Sequence, residues 1–408
     1  MIFNNSKFAI SSINLATCAR QFLSRALLDR SVRQAFFAWA LSRFVIFAVM
    51  ILVAHLTVEE TAFGGTVQTA RISLHRTSIA RSLRSVVRAG DSWWHAGIAE
   101  EGYEKRFFTA GEQHNWAFFP LYPLLLRAAA RITGGYLLTG MLLSSLLFFF
   151  ALVLLHKTAI AFGGDAGTAD RAIFYTAFFP VSYFFSLPMT ESLFLLLSVG
   201  SFYAAKRNRW WMAGSIGALA SATRAPGIIL LPALFVLYLQ QYRWRWRWNF
   251  LSLFIIPSGL LAFMFYLHAI TLNAFAFMDV QAAWGRQGGL FLAPLYNYLR
   301  DPLEVSSVWD FKALNFIAAA TSFACSFWLM RRREWSLAVY ALLLVVLPLS
   351  SLSLQSLSRY TMVNFPVLLI LGFAGRSTVI DQALRTAFIT LLALLTALYT
   401  AHFSFAMV

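Results

Sequence analysis

Apolar residues in this chain occur in long runs with few polar interruptions, not in the alternating or one-faced patterns of soluble domains. A bilayer span takes about 20 mostly apolar residues, and a shorter run suffices where a helix is bent or protein-lined. On that criterion the runs predict eleven spans, over 34–56, 136–157, 171–187, 189–205, 210–223, 226–240, 249–270, 311–330, 335–350, 360–374 and 385–405. Pro188, Pro226, Pro257 and Pro348 fall at or near span ends, where loss of a backbone donor is tolerated. The predicted fold class is therefore all-α, a polytopic membrane protein with interfacial helices in its first external loop. No soluble domain, linker or internal repeat breaks residues 1–408, which read as a single integral membrane domain.

Composition agrees. Of the 408 residues 59% are hydrophobic and 12% charged, against about a quarter charged in soluble domains. Cleavable-signal features are weak at the start of the chain, where Asn4, Asn5, Ser11, Ser12 and Asn14 interrupt the first apolar run. Cys18 and Cys325 are too few for a disulfide framework. The net charge of +16 is placed by topology. Arg20, Arg25, Arg30 and Arg33 precede the first span, and Lys157 and Arg171 bracket the loop after the second. Lys206, Arg207 and Arg209 follow the fourth, Arg243, Arg245 and Arg247 the sixth, Arg331–Arg333 the eighth, and Arg376 and Arg385 the tenth. All fall on one side, which the positive-inside rule makes cytoplasmic, with the N-terminus. The Arg-Trp run at Arg243–Trp248 then reads as a basic loop with interfacial tryptophans, and nucleic acid is not an expected partner.

The other side carries the candidate chemistry. Gln68–Arg88 breaks the charge rule with Arg71, Arg76, Arg81, Arg84 and Arg88. Ile72, Ile79, Leu83 and Val86 share one helical face there, predicting an interfacial amphipathic helix whose arginines meet lipid phosphates. Gly90–Tyr103, GDSWWHAGIAEEGY, comes next. Asp91 is suited both to capping a helix from Ser92 and to acting as a base. Trp93 and Trp94 are candidate stacking residues or interfacial anchors, and Trp94 and Ile98 would share a face toward the bilayer. His95 is either a structural hydrogen-bonding group or part of a site, as is His114. Asn115, Trp116 and Tyr122 follow in HNWAFFPLYPLLL, 114–126. Glu191 begins an apolar run at membrane level, where a carboxylate is costly. Arg224 sits at the outer end of a short span, as a phosphate ligand or as the ion-pair partner of Glu191. Arg359, beside Tyr360, has no acid near it in sequence and reads as a phosphate contact, since arginine holds two oxygens at once.

The chain contains no P-loop, dinucleotide glycine motif, HExxH, CxxC pair or Asp-x-Asp, so no metal and no other cofactor is expected. No cytoplasmic loop is large enough for a nucleotide-binding domain. An activated donor would arrive within the membrane, as a lipid phosphate.

The collinear segments GDSWWHAGIAEEGY, HNWAFFPLYPLLL, FFPVSYFFSLPMTESLF, ATRAPGIILLP and SLSRYTMVNFP resemble the mannosyltransferase family typified by the second mannosyltransferase of GPI-anchor synthesis and its bacterial relatives. That family belongs to the multi-span GT-C glycosyltransferases. Its first external loop typically reads Trp-Asp, then an aromatic-rich helix ending Gly-Tyr. Here Asp91 and Gly102–Tyr103 match, Gly90 replaces the usual Trp, and His95 stands where Tyr or Phe is common. The resemblance implies inverting transfer of a hexose, mannose by family, from a polyprenyl-phosphate donor at the extracytoplasmic face of a bacterial inner membrane. Asp91 would be the base. Trp93, Trp94, Trp116 and Tyr122 would form a stacking surface, and Arg224 and Arg359, or peripherally Arg84 and Arg88, would receive the phosphate. Glycan, glycolipid and protein all remain as acceptors. The rival reading is a lipid-linked sugar flippase or transporter, which would bind the same ligand without transferase chemistry.

Overall fold

The computed structural model describes residues 29–56, 86–87, 90–302 and 312–401, and every regular element among them is helical. The chain runs through α1 (Arg30–Leu56), α2 (Ser92–Glu100), α3 (Leu121–Thr133), α4 (Tyr136–Ala161), α5 (Ala166–Ala177), α6 (Glu191–Lys206), α7 (Trp210–Ser221) and α8 (Leu230–Tyr242). A 3-10 stretch, Trp248–Ile255, leads into α9 (Ser258–Thr271). The short α10 (Ala276–Asp279) and α11 (Ala293–Arg300) precede α12 (Lys312–Arg331), α13 (Trp335–Leu349), α14 (Leu357–Met362), α15 (Phe365–Ala374) and α16 (Thr378–Thr400).

Six stretches are long and apolar enough to cross a bilayer: Arg30–Ala54, Tyr136–Ala161, Ala225–Tyr242, Trp248–Thr271, Lys312–Arg331 and Thr378–Thr400. The chain is an integral membrane protein. The other five predicted spans correspond to α5, α6, α7, α13 and α15, helices of 10 to 16 residues. Shorter helices suffice here because they are packed inside the bundle, where protein satisfies the backbone at their ends. Gly214 and Gly259 allow the close crossings: an added Cβ would collide with the Ser252 carbonyl and with that of Ala218, respectively. The predicted amphipathic helix at 68–88 lies outside the described residues except for Val86 and Val87, which are buried. Cys18, Arg84 and Arg88 are likewise outside them.

One predicted span is shorter than expected. The run 171–187 ends its helix at Ala177, because Pro180 cannot continue a helix and restricts Phe179 before it. Residues 178–190 then cross the interior as a buried, largely irregular segment. Backbone groups at this depth need protein partners. Arg43 of α1 supplies them: Nη1 donates to the Ser182 carbonyl (3.1 Å) and Ser186 Oγ (2.8 Å), and Nη2 to the Ala177 carbonyl (3.3 Å) and Ser182 Oγ (3.1 Å). Its guanidinium also lies 4.7 Å from the Phe148 ring centroid, and it has no acidic partner among the described residues. Arg43 is thus a stitch holding the segment that leads to Glu191. Arg43→Met strands these acceptors and is expected to lower stability by about 2 to 4 kcal/mol, read as a lower melting temperature in detergent. An unchanged melting temperature would remove Arg43 from this role.

The six basic loops share one end of the bundle, as the charge pattern predicts. Arg30 pairs with Asp170 (2.6 Å) and Arg376 with Asp165 (3.1 Å). Lys206 lies 4.5 Å from the Phe162 ring centroid, Gln241 bonds the Ala205 carbonyl, and Gln240 that of Arg333. The opposite end gathers α2, the segment 188–191, Arg224, residues 271–289 and α14.

Candidate active site

Asp91 lies in the tight turn before α2. Gly90 ahead of it has φ 62°, left-handed backbone that glycine adopts without strain, which accounts for glycine at that position. Asp91 occupies the N-cap position of α2, but its side chain makes no cap hydrogen bond. The sequence left cap and site roles open. The carboxylate is turned instead toward Arg359, whose Nη1 donates to Asp91 Oδ2 at 2.8 Å across 268 positions of sequence.

Arg359 joins two acids. Its Nε and Nη2 donate to Glu191 Oε1 at 3.1 and 2.5 Å, and its guanidinium rests 4.4 Å from the Phe184 ring centroid. Arg224 Nη1 reaches the same Glu191 oxygen at 2.7 Å, with its guanidinium 5.1 Å from the Tyr360 ring centroid. Arg359, which has no acid near it in sequence and reads there as a phosphate contact, is brought two acids by folding. The Arg224–Glu191 pair, one of the two readings of those residues, is present. The four groups form a chain of alternating charge. Glu191 is wholly buried at its base, and the Asp91 side chain is 35% exposed at its mouth. Glu191 Oε2, Ser92 Oγ and His95 Nδ1 are buried without hydrogen-bond partners.

Burial alone would raise the Asp91 carboxyl, but the Arg359 guanidinium outweighs it and holds the group below the usual carboxylate value. His95, packed edge-on against Phe118 and Tyr122 at 5.2 and 5.4 Å, is pushed down to about 4 by burial. It is therefore neutral at physiological pH, with one ring nitrogen free to donate or accept. Among the described residues no three His, Cys, Asp or Glu side chains form a group that could hold a metal ion.

Other predicted site residues serve the scaffold. Trp116 and Tyr122 are fully buried, so the expected stacking surface does not include them. Trp116 Nε1 donates to the Glu104 carbonyl, and Tyr122 hydrogen-bonds the Gly140 carbonyl and Ser144 Oγ. His114, also buried, has Nδ1 3.0 Å from Glu104 Oε2, and Asn115 bonds both the Gly102 carbonyl and the Glu104 amide. This lacing ties 102–104 to 114–116 and fixes the end of α2. Ile98 is buried, and Trp94 stacks on Phe118 (5.6 Å), so that face of α2 packs on protein and not on the bilayer. Trp93 is 51% exposed.

Two residues near the charges were missed in the sequence. Trp284 packs edge-on against Trp94 and Phe118, at 6.2 Å from each. Arg286, two residues on, bonds Gln281 Oε1 at 3.1 Å and is close enough to Tyr360 to act on it electrostatically. It has no acidic partner among the described residues. Its loop is fixed to the approach to α14 by Gln287 N to the Ser351 carbonyl and Gly289 N to that of Ser350. The signal was available: an arginine in a loop on the sparsely basic side, the same anomaly that flags Gln68–Arg88.

Comparison with known proteins bears on this cluster. The family described as Mannosyltransferase (PIG-V) matches residues 32–303. GPI alpha-1,6-mannosyltransferase 2 from Cricetulus griseus is 28% identical over 142 residues, covering 32% of this chain and 27% of that protein. The aligned part thus spans about a quarter of that relative's length. Among solved structures, ArnT from Cupriavidus metallidurans, bound to undecaprenyl phosphate, shares 12% identity at a TM-score of 0.48, covering 91% of this chain and 74% of that one. The archaeal oligosaccharyltransferase AglB from Archaeoglobus fulgidus, in complex with an inhibitory peptide and a dolichol-phosphate, shares 14% identity at 0.44, covering 89% and 55%. The family match takes in well over half of the chain, including Asp91, Glu191 and Arg224, and the chain belongs to the Mannosyltransferase (PIG-V) family.

Proposed function

We propose that this protein is an inverting glycosyltransferase that moves a hexose, mannose by family, from a polyprenyl-phosphate donor to an acceptor hydroxyl. The observation that carries the reading is the charged cluster. A half-exposed carboxylate stands over arginines at one end of a membrane bundle, with the basic loops at the other. By the positive-inside rule the cluster end is extracytoplasmic, in a bacterial inner membrane with the N-terminus inside. The acceptor is a glycan, glycolipid or protein.

In the proposed reaction Asp91 takes the proton of the acceptor hydroxyl as its oxygen bonds to the anomeric carbon. The bond from that carbon to the phosphate oxygen breaks, and polyprenyl phosphate leaves with the electron pair. General-base assistance is worth about 10²- to 10⁴-fold. The leaving group is already an anion, so it needs positive charge more than a proton. Arg224 and Arg359 are both shared with Glu191, and Arg286, without an acidic partner among the described residues, is a further cation to meet the phosphate. A phosphate that also draws Arg359 away from Asp91 raises the proton affinity of that carboxylate, so the base strengthens as the donor binds. Neutral His95 and the free oxygen of Glu191 are candidates to bond sugar hydroxyls. Trp93, Trp94 and Trp284 are the aromatic surfaces nearest the mouth.

The test is incubation of purified protein in detergent with radiolabelled polyprenyl-phosphate mannose and a membrane lipid extract. The expected result is labelled product and an equal amount of free polyprenyl phosphate. Detergent removes the sidedness a flippase needs, so absence of transfer counts against the enzyme. Arg286→Gln is expected to raise KM for the donor about 10- to 100-fold, the worth of one hydrogen bond to a charged group. An unaltered donor KM excludes Arg286 from phosphate binding.

A further inference from the structure

A cavity lies at the basic end, among α4, α12, α13 and α15. Its volume is about 540 Å³, within the usual range for ligand sites. Phe162, Trp328, Leu329, Leu337, Leu369 and Phe373 form most of its wall. Each of the three aromatic walls carries a cation: Lys206 4.5 Å from the Phe162 ring centroid, Arg332 4.9 Å from that of Trp328, and Arg376 5.0 Å from that of Phe373. Arg376 is held by Asp165 at 3.1 Å. Arg332 and Lys206 have no acidic partner among the described residues. Glu334 is the single acid on the wall, so the cations outnumber it.

Its depth follows from α6, which begins at Glu191 in the charged cluster and ends at Lys206 here. Sixteen residues at 1.5 Å each span about 24 Å, close to the apolar thickness of a bilayer. The cavity is therefore level with the headgroup layer opposite the charged cluster. Phe327 and Trp335 beside it are 56% and 45% exposed, as lipid-facing side chains are.

We propose that this cavity binds an anionic phospholipid of that leaflet. Its phosphate would lie against Arg332, with Lys206 behind the Phe162 ring adding positive charge, and its acyl chain along the aromatic and leucine walls. A water-soluble anion would satisfy the cations but leave the apolar wall wet. A zwitterionic lipid would fill the wall but match the excess positive charge less well. Aromatic faces beneath the cations orient them and add attraction of their own. This inference is independent of the transferase reading.

The test is native mass spectrometry of the purified full chain after exchange into micelles doped with phosphatidylglycerol, phosphatidylethanolamine or phosphatidylcholine. Wild-type protein is expected to retain phosphatidylglycerol about 10-fold more than phosphatidylcholine. The variant Arg332→Glu should retain it about 10-fold or more less, since it removes one basic group and adds an acid, and each charge near an anionic surface is worth roughly fivefold. Arg333→Glu makes the same charge change next door, on a side chain outside the cavity wall, and should keep wild-type retention. Helical circular dichroism verifies folding, which these surface changes leave alone. Retention of phosphatidylethanolamine or phosphatidylcholine equal to phosphatidylglycerol overturns the proposal. So does an equal loss in the Arg332 and Arg333 variants.

Discussion

Asp91→Asn is expected to reduce kcat for sugar transfer by about 10²- to 10⁴-fold while the protein remains folded. The amide preserves the shape of the carboxylate and can still bond Arg359, but it cannot accept the acceptor proton. Loss of the base falls on kcat, whereas mere loosening of Arg359 would fall on donor KM, so measuring both separates the roles. The pH profile adds a check. Arg359 outweighs burial and keeps Asp91 below the ordinary carboxylate value. The acid limb of wild-type kcat/KM should thus lie below that of a free aspartate. His95, pushed down to about 4 by burial, should contribute no inflection near 6.5. Its effect on stability has the same sign: below 6.5 the unfolded chain binds a proton that the folded chain refuses, so stability declines as pH falls toward 4. Full activity in Asp91→Asn would remove this residue from the chemistry.

Glu191→Gln is expected to be the most destabilising single change at the site. One wholly buried carboxylate oxygen accepts from both Arg224 and Arg359. Neutralising it leaves Arg224 without a carboxylate and Arg359 with Asp91 alone. Removing one member of a buried ion pair typically costs about 3 to 5 kcal/mol, because the remaining charge is desolvated and uncompensated. The outcome is a melting temperature several degrees lower in detergent, with reduced yield of folded protein. The surviving fraction should show weakened donor binding, since Arg224 is then free to adopt other positions. A variant as stable as wild type would mean that water reaches the arginines and that the cluster is not a dry site.

Much of the architecture was legible because the bilayer acts on short stretches of chain. Each of the eleven apolar runs has a helix in the structure, and the basic loops join at one end through contacts such as Arg30–Asp170 and Arg376–Asp165. The run 171–187 reads as one span because its apolar residues continue past Pro180, which ends the helix at Ala177. At the site, Asp91, Glu191 and Arg224 stood out locally, as charges at the ends of apolar segments. His114, Trp116 and Tyr122 looked equally suggestive, since polar and aromatic residues at an interface serve packing and chemistry alike. In the structure all three are buried and hydrogen-bonded within the scaffold.

What the sequence determined by itself was the class, the number of apolar segments and the gathering of the basic loops at one end. These follow from hydropathy and charge counted over neighbouring residues, which membrane insertion reads one segment at a time. Only the tertiary structure decided which charges meet. Arg359 finds Asp91 268 positions away and Glu191 168 away, and the loop carrying Arg286 is fixed to the approach to α14 through Gln287 and Gly289. In a low-dielectric interior an ionic group must be paired wherever along the chain its partner happens to lie, so pairing is set by helix packing and not by spacing in the sequence.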